Sequence, residues 1–258
     1  MAFKMIPQSY VFLFLFIFGA CIASFLVSFV DNYKNALSPF TRSKCDYCKN
    51  SLKYNNLIPI FSYLIQKGKC HSCKNNIKIN YLIYELLLAL CLPLSWLISS
   101  ELNFSSQIFI GFIVIILCYT VYLDWEKMLI SIPALILFFI FSILLFLFSN
   151  SFNQDILISK LIGLFVGYIS LWGINKIYKI IRKRDGIGEG DPLLFAVIGF
   201  FVGIEFLFYI LILSSITGAI YGIILVKYYK GSVLDRVPFG SFLAVATIVI
   251  YFYKMLYY

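Results

Sequence analysis

Eight apolar runs divide this chain, at about residues 10–30, 81–100, 107–123, 130–149, 156–178, 192–203, 205–226 and 239–257. A helix needs roughly 20 apolar residues to cross a hydrocarbon layer about 30 Å thick, and all but the sixth run come near that length. In lipid a backbone must satisfy its own polar groups, which makes helices the natural reading of such runs. The sixth and seventh are almost continuous, and Gly203 with Glu205 marks a turn between two tightly linked helices. The expectation is an all-α integral membrane protein with about eight transmembrane helices. Composition agrees: 62% of residues are hydrophobic and only 13% are charged, against roughly 25% charged in a soluble domain. A soluble globular domain, a disordered chain and a small disulfide scaffold are excluded. The first run lacks a small-residue cleavage site followed by a soluble domain, so it reads as a retained span.

The net charge of +9 could suggest a nucleic-acid partner, so the positions of the basic residues decide. With the N-terminus placed outside, the polar segments 31–80, 124–129, 179–190 and 227–238 all face the cytoplasm. They and their borders hold Lys34, Arg42, Lys44, Lys49, Lys53, Lys67, Lys69, Lys74, Lys78, Lys127, Lys176, Lys179, Arg182, Lys183, Arg184, Lys227, Lys230 and Arg236, which is 18 of the 21 basic residues. Only Lys4, Lys160 and Lys254 fall elsewhere. The opposite orientation would invert that ratio, and the excess of Lys and Arg on cytoplasmic loops fixes the topology. The charge therefore calls for no nucleic acid. The run Arg182-Lys183-Arg184 is better matched to anionic lipid headgroups.

One segment is not membrane. Residues 1–30 form the first span, 31–80 a polar insertion rich in Lys and Asn, and 81–258 a core of seven helices. The insertion carries Cys45-x-x-Cys48 and Cys70-x-x-Cys73 with 21 residues between the pairs. Two such knuckles bring four sulfurs to one point, the donor set of a closed zinc site. So small and polar a loop cannot hold itself by burial, and a structural zinc would supply the missing folding energy. Two disulfides or redox-active thiols are the alternatives, and the reducing cytoplasm speaks against disulfides. His71, the only histidine, reads as an exposed knuckle residue. Cys21, Cys91 and Cys118 lie at depth in spans and read as small packing residues.

Two acids stand out. Asp124 follows the apolar run ending at Leu123, and Asp191 opens the sixth run after Gly186-Ile187-Gly188-Glu189-Gly190. Two crossings separate them, so both lie at the same membrane edge. Paired carboxylates sharing a proton and a water are the machinery of aspartic proteolysis. Asp191-Pro192 also reads as a helix cap with Pro in the first turn, and Asp124 as a plain boundary residue. The alternating glycines remain, and they let a backbone approach a partner closely or adopt positive φ. A phosphate-binding glycine loop is disfavoured, because no Gly-Lys-Ser/Thr ending follows and no strand precedes.

These motifs together resemble the type IV prepilin peptidases, bifunctional leader peptidases and N-methyltransferases of the Gly-x-Gly-Asp intramembrane aspartyl clan. The resemblance rests on Arg42-Ser43-Lys44-Cys45-x-x-Cys48, Asn56-x-Ile58-Pro59-x-x-Ser62-Tyr63-Leu64, Gly68-Lys69-Cys70-x-x-Cys73, Tyr81-x-x-x-Glu85, Gly188-Glu189-Gly190-Asp191 and Val237-Pro238-Phe239-Gly240. It departs at Ala23-Ser24-Phe25-Leu26-Val27, where the family has Gly-Ser-Phe-Leu-Asn, at Leu193, where a Lys is common, and at Ser131, where a Pro is common. The resemblance implies catalysis by Asp124 and Asp191 and zinc on Cys45, Cys48, Cys70 and Cys73. Its implied substrates are prepilin or pseudopilin precursors, cut after Gly at the cytoplasmic edge of a bacterial inner membrane. S-adenosylmethionine would be the methyl donor, with no residues assigned to it. Gly186, Gly188 and Gly190 are read as giving the substrate strand room, and Glu85 as a supporting group or an interfacial acid. Asp185 and Glu189 read as solvated loop acids. Helix-end polarity suggests Asp191, at a helix start, as the base and Asp124, at a helix end, as the acid. A non-catalytic zinc-ribbon assembly partner and a peptidase without methyl transfer are the rival readings.

Overall fold

The computed structural model describes residues 7–34, 43–45, 47–149, 153–183, 186, 188–228 and 237–257, without the side chains of 31–34 and 54. Lys4, Arg42, Arg184, Asp185, Ile187, Lys230, Arg236 and the Lys34 side chain lie outside the described residues. Nearly all regular structure is helical: α1 (Gln8–Lys34), α2 (Phe61–Ile65), α3 (Ile79–Ile98), α4 (Phe104–Lys127), α5 (Ile132–Phe148), α6 (Gln154–Arg182), α7 (Asp191–Val202), α8 (Ile204–Tyr228) and α9 (Phe239–Tyr257). Each expected apolar run coincides with one helix, and α7 and α8 part at Gly203, whose φ is +88°. Among the described residues six helices, α1, α3, α4, α6, α8 and α9, are long and apolar enough to cross a membrane. That makes the chain a multi-pass membrane protein. The expected count of eight is not reached on length, because α5 has 17 residues and α7 only 12.

The helices start where short polar side chains can take up orphan amides. Asn103 accepts from Ser106 N at 3.1 Å before α4, and Asn153 accepts from Asp155 N at 3.1 Å before α6. Met128 and Lys183 end α4 and α6 in the left-handed conformation.

The chain divides into two compact units, Met1–Leu97 and Ile98–Tyr258. The division falls one residue before the end of α3. The reason lies in packing: Gly19 of α1 abuts the Leu88 carbonyl and Ala89 Cα of α3, and Ala20, Ala89 and Ile60 form a small buried cluster with Phe16, Leu82 and Leu86 beside it.

In the second unit α7 packs against α5, α6, α8 and α9. Its closest partner is α6. A Cβ at Gly163 or Gly199 would overlap the carbonyl of the other, and Gly167 lies against Phe195 and Ala196. Small residues spaced by four let two helix backbones meet where lipid gives no hydrophobic drive. At the far end of α7, Lys160 Nζ donates to the Phe200 and Phe201 carbonyls at 3.2 and 2.8 Å, and Lys254 Nζ donates to the Val202 carbonyl at 3.0 Å. Two of the lysines that the loop-charge argument leaves over thus satisfy the last carbonyls of α7.

Candidate active site

Asp124 sits in the last turn of α4, and Asp191 is the first residue of α7. Beside Asp124, Trp125 packs its ring 5.1 Å from Tyr221 of α8 and 6.2 Å from Phe242 of α9. That aromatic contact draws the start of α9 to the end of α4. Both carboxyl groups are buried, each with about 5% of its residue surface exposed.

They converge on Gly240. A Cβ placed there would lie 3.0 Å from Asp191 Oδ1 and 3.1 Å from Asp124 Oδ2. The two oxygens therefore lie at most about 6 Å apart, and one shared water joins oxygens up to about 5.6 Å apart by two hydrogen bonds of roughly 2.8 Å. Ile130 Cδ1 closes the same point at 2.9 Å.

Each aspartate is held on one oxygen. Ser241 N donates to Asp124 Oδ2 at 2.7 Å, and Ser241 Oγ lies 3.1 Å from both that oxygen and the Val121 carbonyl. Ser241 is in the first turn of α9, so Asp124 takes up one of that helix's orphan amides. Asp191 Oδ2 accepts from Gly188 N at 3.0 Å, which leaves Oδ1 turned toward Gly240. Asp191 makes no side-chain cap for α7, although Pro192 does occupy the first turn. The helix-cap reading of this aspartate therefore fails, because its carboxylate turns back to the glycine loop.

Among the described residues the glycines with positive φ are Gly68 and Gly203, so the loop glycines serve close approach. A Cβ at Gly186 would meet the Tyr178 ring at 2.6 Å, one at Gly190 the Ile130 side chain at 2.8 Å, and one at Gly188 the Asp191 carboxylate at 3.0 Å. The neighbours their missing side chains admit are the chain's own residues.

The first unit gathers Cys45, Cys48, Cys70 and Cys73, with all four sulfurs within 4.8 Å of one another. Cys45 and Cys73 are 3.8 Å apart, the edge of a tetrahedron whose metal–sulfur bonds are about 2.3 Å. None of the seven cysteines is in a disulfide. The two knuckles repeat one backbone pattern. Lys49 N donates to the Cys45 carbonyl and Lys74 N to the Cys70 carbonyl, both at 3.0 Å, with Lys49 and Lys74 left-handed. The bridges Lys44–Ser51 and Lys69–Asn76 close each one. Backbone amides of Cys73 and Ser72 hold the Cys70 thiol down at about 7. The Asn75 amide acts in the same sense on Cys73, but burial and the facing thiols of Cys70, Cys48 and Cys45 push it up to about 11. Four thiols that cannot all ionise together are the donor set a divalent cation stabilises. His71 is exposed and outside the set.

Glu85 lies in the first unit, where its Oε2 accepts from Ile60 N at 2.7 Å. Ile60 has φ 63° and ψ −57°, and Phe61 N donates to the Pro59 carbonyl at 2.6 Å. This is a tight γ-turn, unusual and strained for a β-branched residue.

Residues 17–98 match the bacterial peptidase A24 N-terminal domain, and residues 111–223 match the type IV leader peptidase family. A protein of Bacillus subtilis (strain 168) named prepilin leader peptidase/N-methyltransferase is 33% identical over 245 residues, 93% of each chain. Proteins of the same name from Aeromonas salmonicida (strain A449) and Dichelobacter nodosus are 31% and 32% identical, covering 84% and 79% of this chain and 72% and 68% of their own. The chain belongs to the type IV leader peptidase family. No solved structure matches it. The match to the leader peptidase family spans both Asp124 and Asp191, and the N-terminal match spans the four cysteines and Glu85.

Sequence reasoning missed one feature of this family member. Ser241 as the partner of Asp124 is separated from it by 117 residues, and only the Pro238-Phe239-Gly240 segment pointed there. The doubled knuckle was visible as Lys44-Cys45-x-x-Cys48-Lys49-Asn50 against Lys69-Cys70-x-x-Cys73-Lys74-Asn75.

Proposed function

We propose that this protein is a membrane-embedded aspartyl peptidase that removes the leader of prepilin or pseudopilin precursors. It cuts after Gly at the cytoplasmic edge of a bacterial inner membrane, with the N-terminus outside. It then methylates the new N-terminus, with S-adenosylmethionine as donor. The observation that carries the peptidase reading is the convergence of Asp124 and Asp191 on Gly240. Placement at the cytoplasmic edge is supported by the distribution of Lys and Arg.

In this reading one carboxylate takes a proton from water while the water oxygen attacks the scissile carbonyl carbon. The other carboxylic acid gives its proton to the carbonyl oxygen. Collapse breaks the C–N bond, and a proton passes to the leaving amine. Helix-end polarity, with Asp191 at the start of α7 and Asp124 at the end of α4, points to Asp191 as the base and Asp124 as the acid. The donors favour the reverse: Ser241 supplies an amide and a hydroxyl to Asp124, at the start of α9, while Asp191 receives one amide. We assign Asp124 as the base and Asp191 as the acid. Gly186, Gly188 and Gly190 keep the loop thin beside Asp191, and Gly240 puts no side chain between the carboxyl groups. Cys45, Cys48, Cys70 and Cys73 would hold zinc in a closed, structural site.

The test is cleavage of a precursor peptide by purified protein in detergent. Asp124→Asn and Asp191→Asn should each lower cleavage by at least about 10³-fold, in line with loss of general acid or base catalysis. Both variants should melt as the wild type does. Full activity in either variant ends the reading.

A further inference from the structure

Ile130, in the turn between α4 and α5, lies against the glycine loop and the start of α9 together. Its Cβ is 2.8 Å from where a Cβ at Gly190 would stand, and its Cδ1 is 2.9 Å from where a Cβ at Gly240 would stand. The second of these points is the one on which Asp191 Oδ1 and Asp124 Oδ2 converge, at 3.0 and 3.1 Å. Ile130 Cδ1 is therefore at most about 6 Å from either oxygen.

The turn holds this side chain firmly. Met128, in the left-handed conformation, donates its amide to the Asp124 carbonyl at 2.8 Å, so the turn departs from the backbone of Asp124 itself. On the other side Ser131 starts α5. Its carbonyl accepts from Leu135 N at 3.1 Å, and its side chain hydrogen-bonds the Tyr119 side chain of α4. Met128 and Leu129 are exposed, whereas Ile130 is half-buried against the two glycines. A β-branched side chain on a fixed backbone has little χ1 freedom. Ile130 is thus a stiff apolar wall beside the carboxyl pair.

That wall limits what can be cut. A peptide must bring its scissile carbonyl carbon within roughly 3–3.5 Å of the attacking water. The α-carbon of the same residue follows at one bond, about 1.5 Å away, and any side chain starts one bond further on. These atoms fall in the few ångströms between the carboxyl oxygens and Ile130. Gly190 and Gly240 have no side chain that could swing aside. A hydrogen on the α-carbon passes the wall, and a methyl group meets it.

Resting on the reading that the carboxyl pair cleaves peptides, we propose that Ile130 is the specificity-determining residue that restricts the carbonyl side of the cut to glycine. It acts by exclusion: the discrimination comes from a clash that the correct substrate does not make.

The experiment uses the full chain in detergent and two precursor peptides, identical except for Gly or Ala immediately before the cut. The readout is kcat/KM on each. One methyl group against an apolar wall discriminates by about 10–200-fold, so the wild type should prefer the Gly peptide by about tenfold or more. Ile130→Ala should narrow that ratio at least about fivefold. A turn that is merely misplaced would slow both peptides together, which is why the ratio decides. Ile130→Val removes Cδ1 and keeps the branch; it should narrow the ratio less, and it decides in place of Ile130→Ala if that variant does not fold. Equal cleavage of the two peptides by the wild type, or a wild-type ratio in the deciding variant, overturns the assignment. Loss of all cleavage in both variants with wild-type melting overturns it as well, because a wall that only excludes is not needed for the Gly peptide. In each of these cases cleavage of the Gly peptide by the wild type leaves the peptidase reading standing. A wild type that cuts neither peptide fails the peptidase reading itself, and the role of Ile130 falls with it.

Discussion

Replacing Gly240 with alanine tests the geometry of the carboxylate pair more sharply than removing either acid. The added methyl would stand 2.9 Å from Ile130 Cδ1, 3.0 Å from Asp191 Oδ1 and 3.1 Å from Asp124 Oδ2. Ordinary carbon contacts begin near 3.4 Å, so each neighbour must retreat by about 0.3–0.5 Å. The same methyl fills the space between the two oxygens, where a bridging water would sit. A 1 Å misplacement of reacting groups costs about 10²-fold in rate. A smaller displacement combined with a blocked water should also cost about 10²-fold, or roughly 2.7 kcal/mol in the barrier. Stability should change little. Gly to Ala in a helix gains roughly 0.5–1 kcal/mol, and overpacking costs typically 1–3 kcal/mol. The assay is steady-state cleavage of a precursor peptide in detergent, with melting measured on the same preparation. A Gly240→Ala enzyme with wild-type kcat would mean that the pair does not act through the point between its oxygens, and the proposed chemistry would fall.

Three further outcomes are expected. Ser241→Ala removes the hydroxyl donor to Asp124 but keeps the amide; hydrogen bonds to charged groups are worth about 1.5–3 kcal/mol, so cleavage should slow by about tenfold or more. Gly199→Val forces a side chain onto the Gly163 carbonyl, and should lower the melting temperature by an amount matching the 1–3 kcal/mol typical of overpacking. Cys70→Ser should abolish stoichiometric metal in the purified protein, as read by atomic absorption, and should expose residues 43–78 to limited proteolysis, because folding of such a loop is coupled to its metal.

Much of the fold is written in hydropathy. Lipid selects for apolar runs with little else to confuse them, so each run marks a helix to within a few residues. Helix ends were less legible. The α6 helix continues to Arg182, beyond the apolar run that ends near 178, because long basic side chains can extend a helix past the apolar layer while their heads remain in water. Crossing length was also hidden, since α7 is apolar throughout yet only 12 residues long. The aspartates could be singled out by their shared membrane edge and by the glycines before Asp191, although Asp31, Glu101 and Asp155 also border apolar runs. Their surroundings could not. Ser241 and Gly240 reach the pair through helix packing between distant parts of the chain, and no local period or propensity records such a meeting. Gly163 and Gly199 are similar: each looks like an ordinary glycine in a span until the partner carbonyl is seen against it.

The dependence of Asp124 on the start of α9 has a consequence for biosynthesis. During synthesis α4 and α7 leave the ribosome first, and the amide and hydroxyl of Ser241 arrive only with α9. Until then the two acids lack the segment that holds one of them and lines the gap between them. A nascent chain inserted as far as α8 carries both reactive groups but not the finished cutting centre, so hydrolytic competence is acquired late, when the neighbouring helices are already in place to confine it.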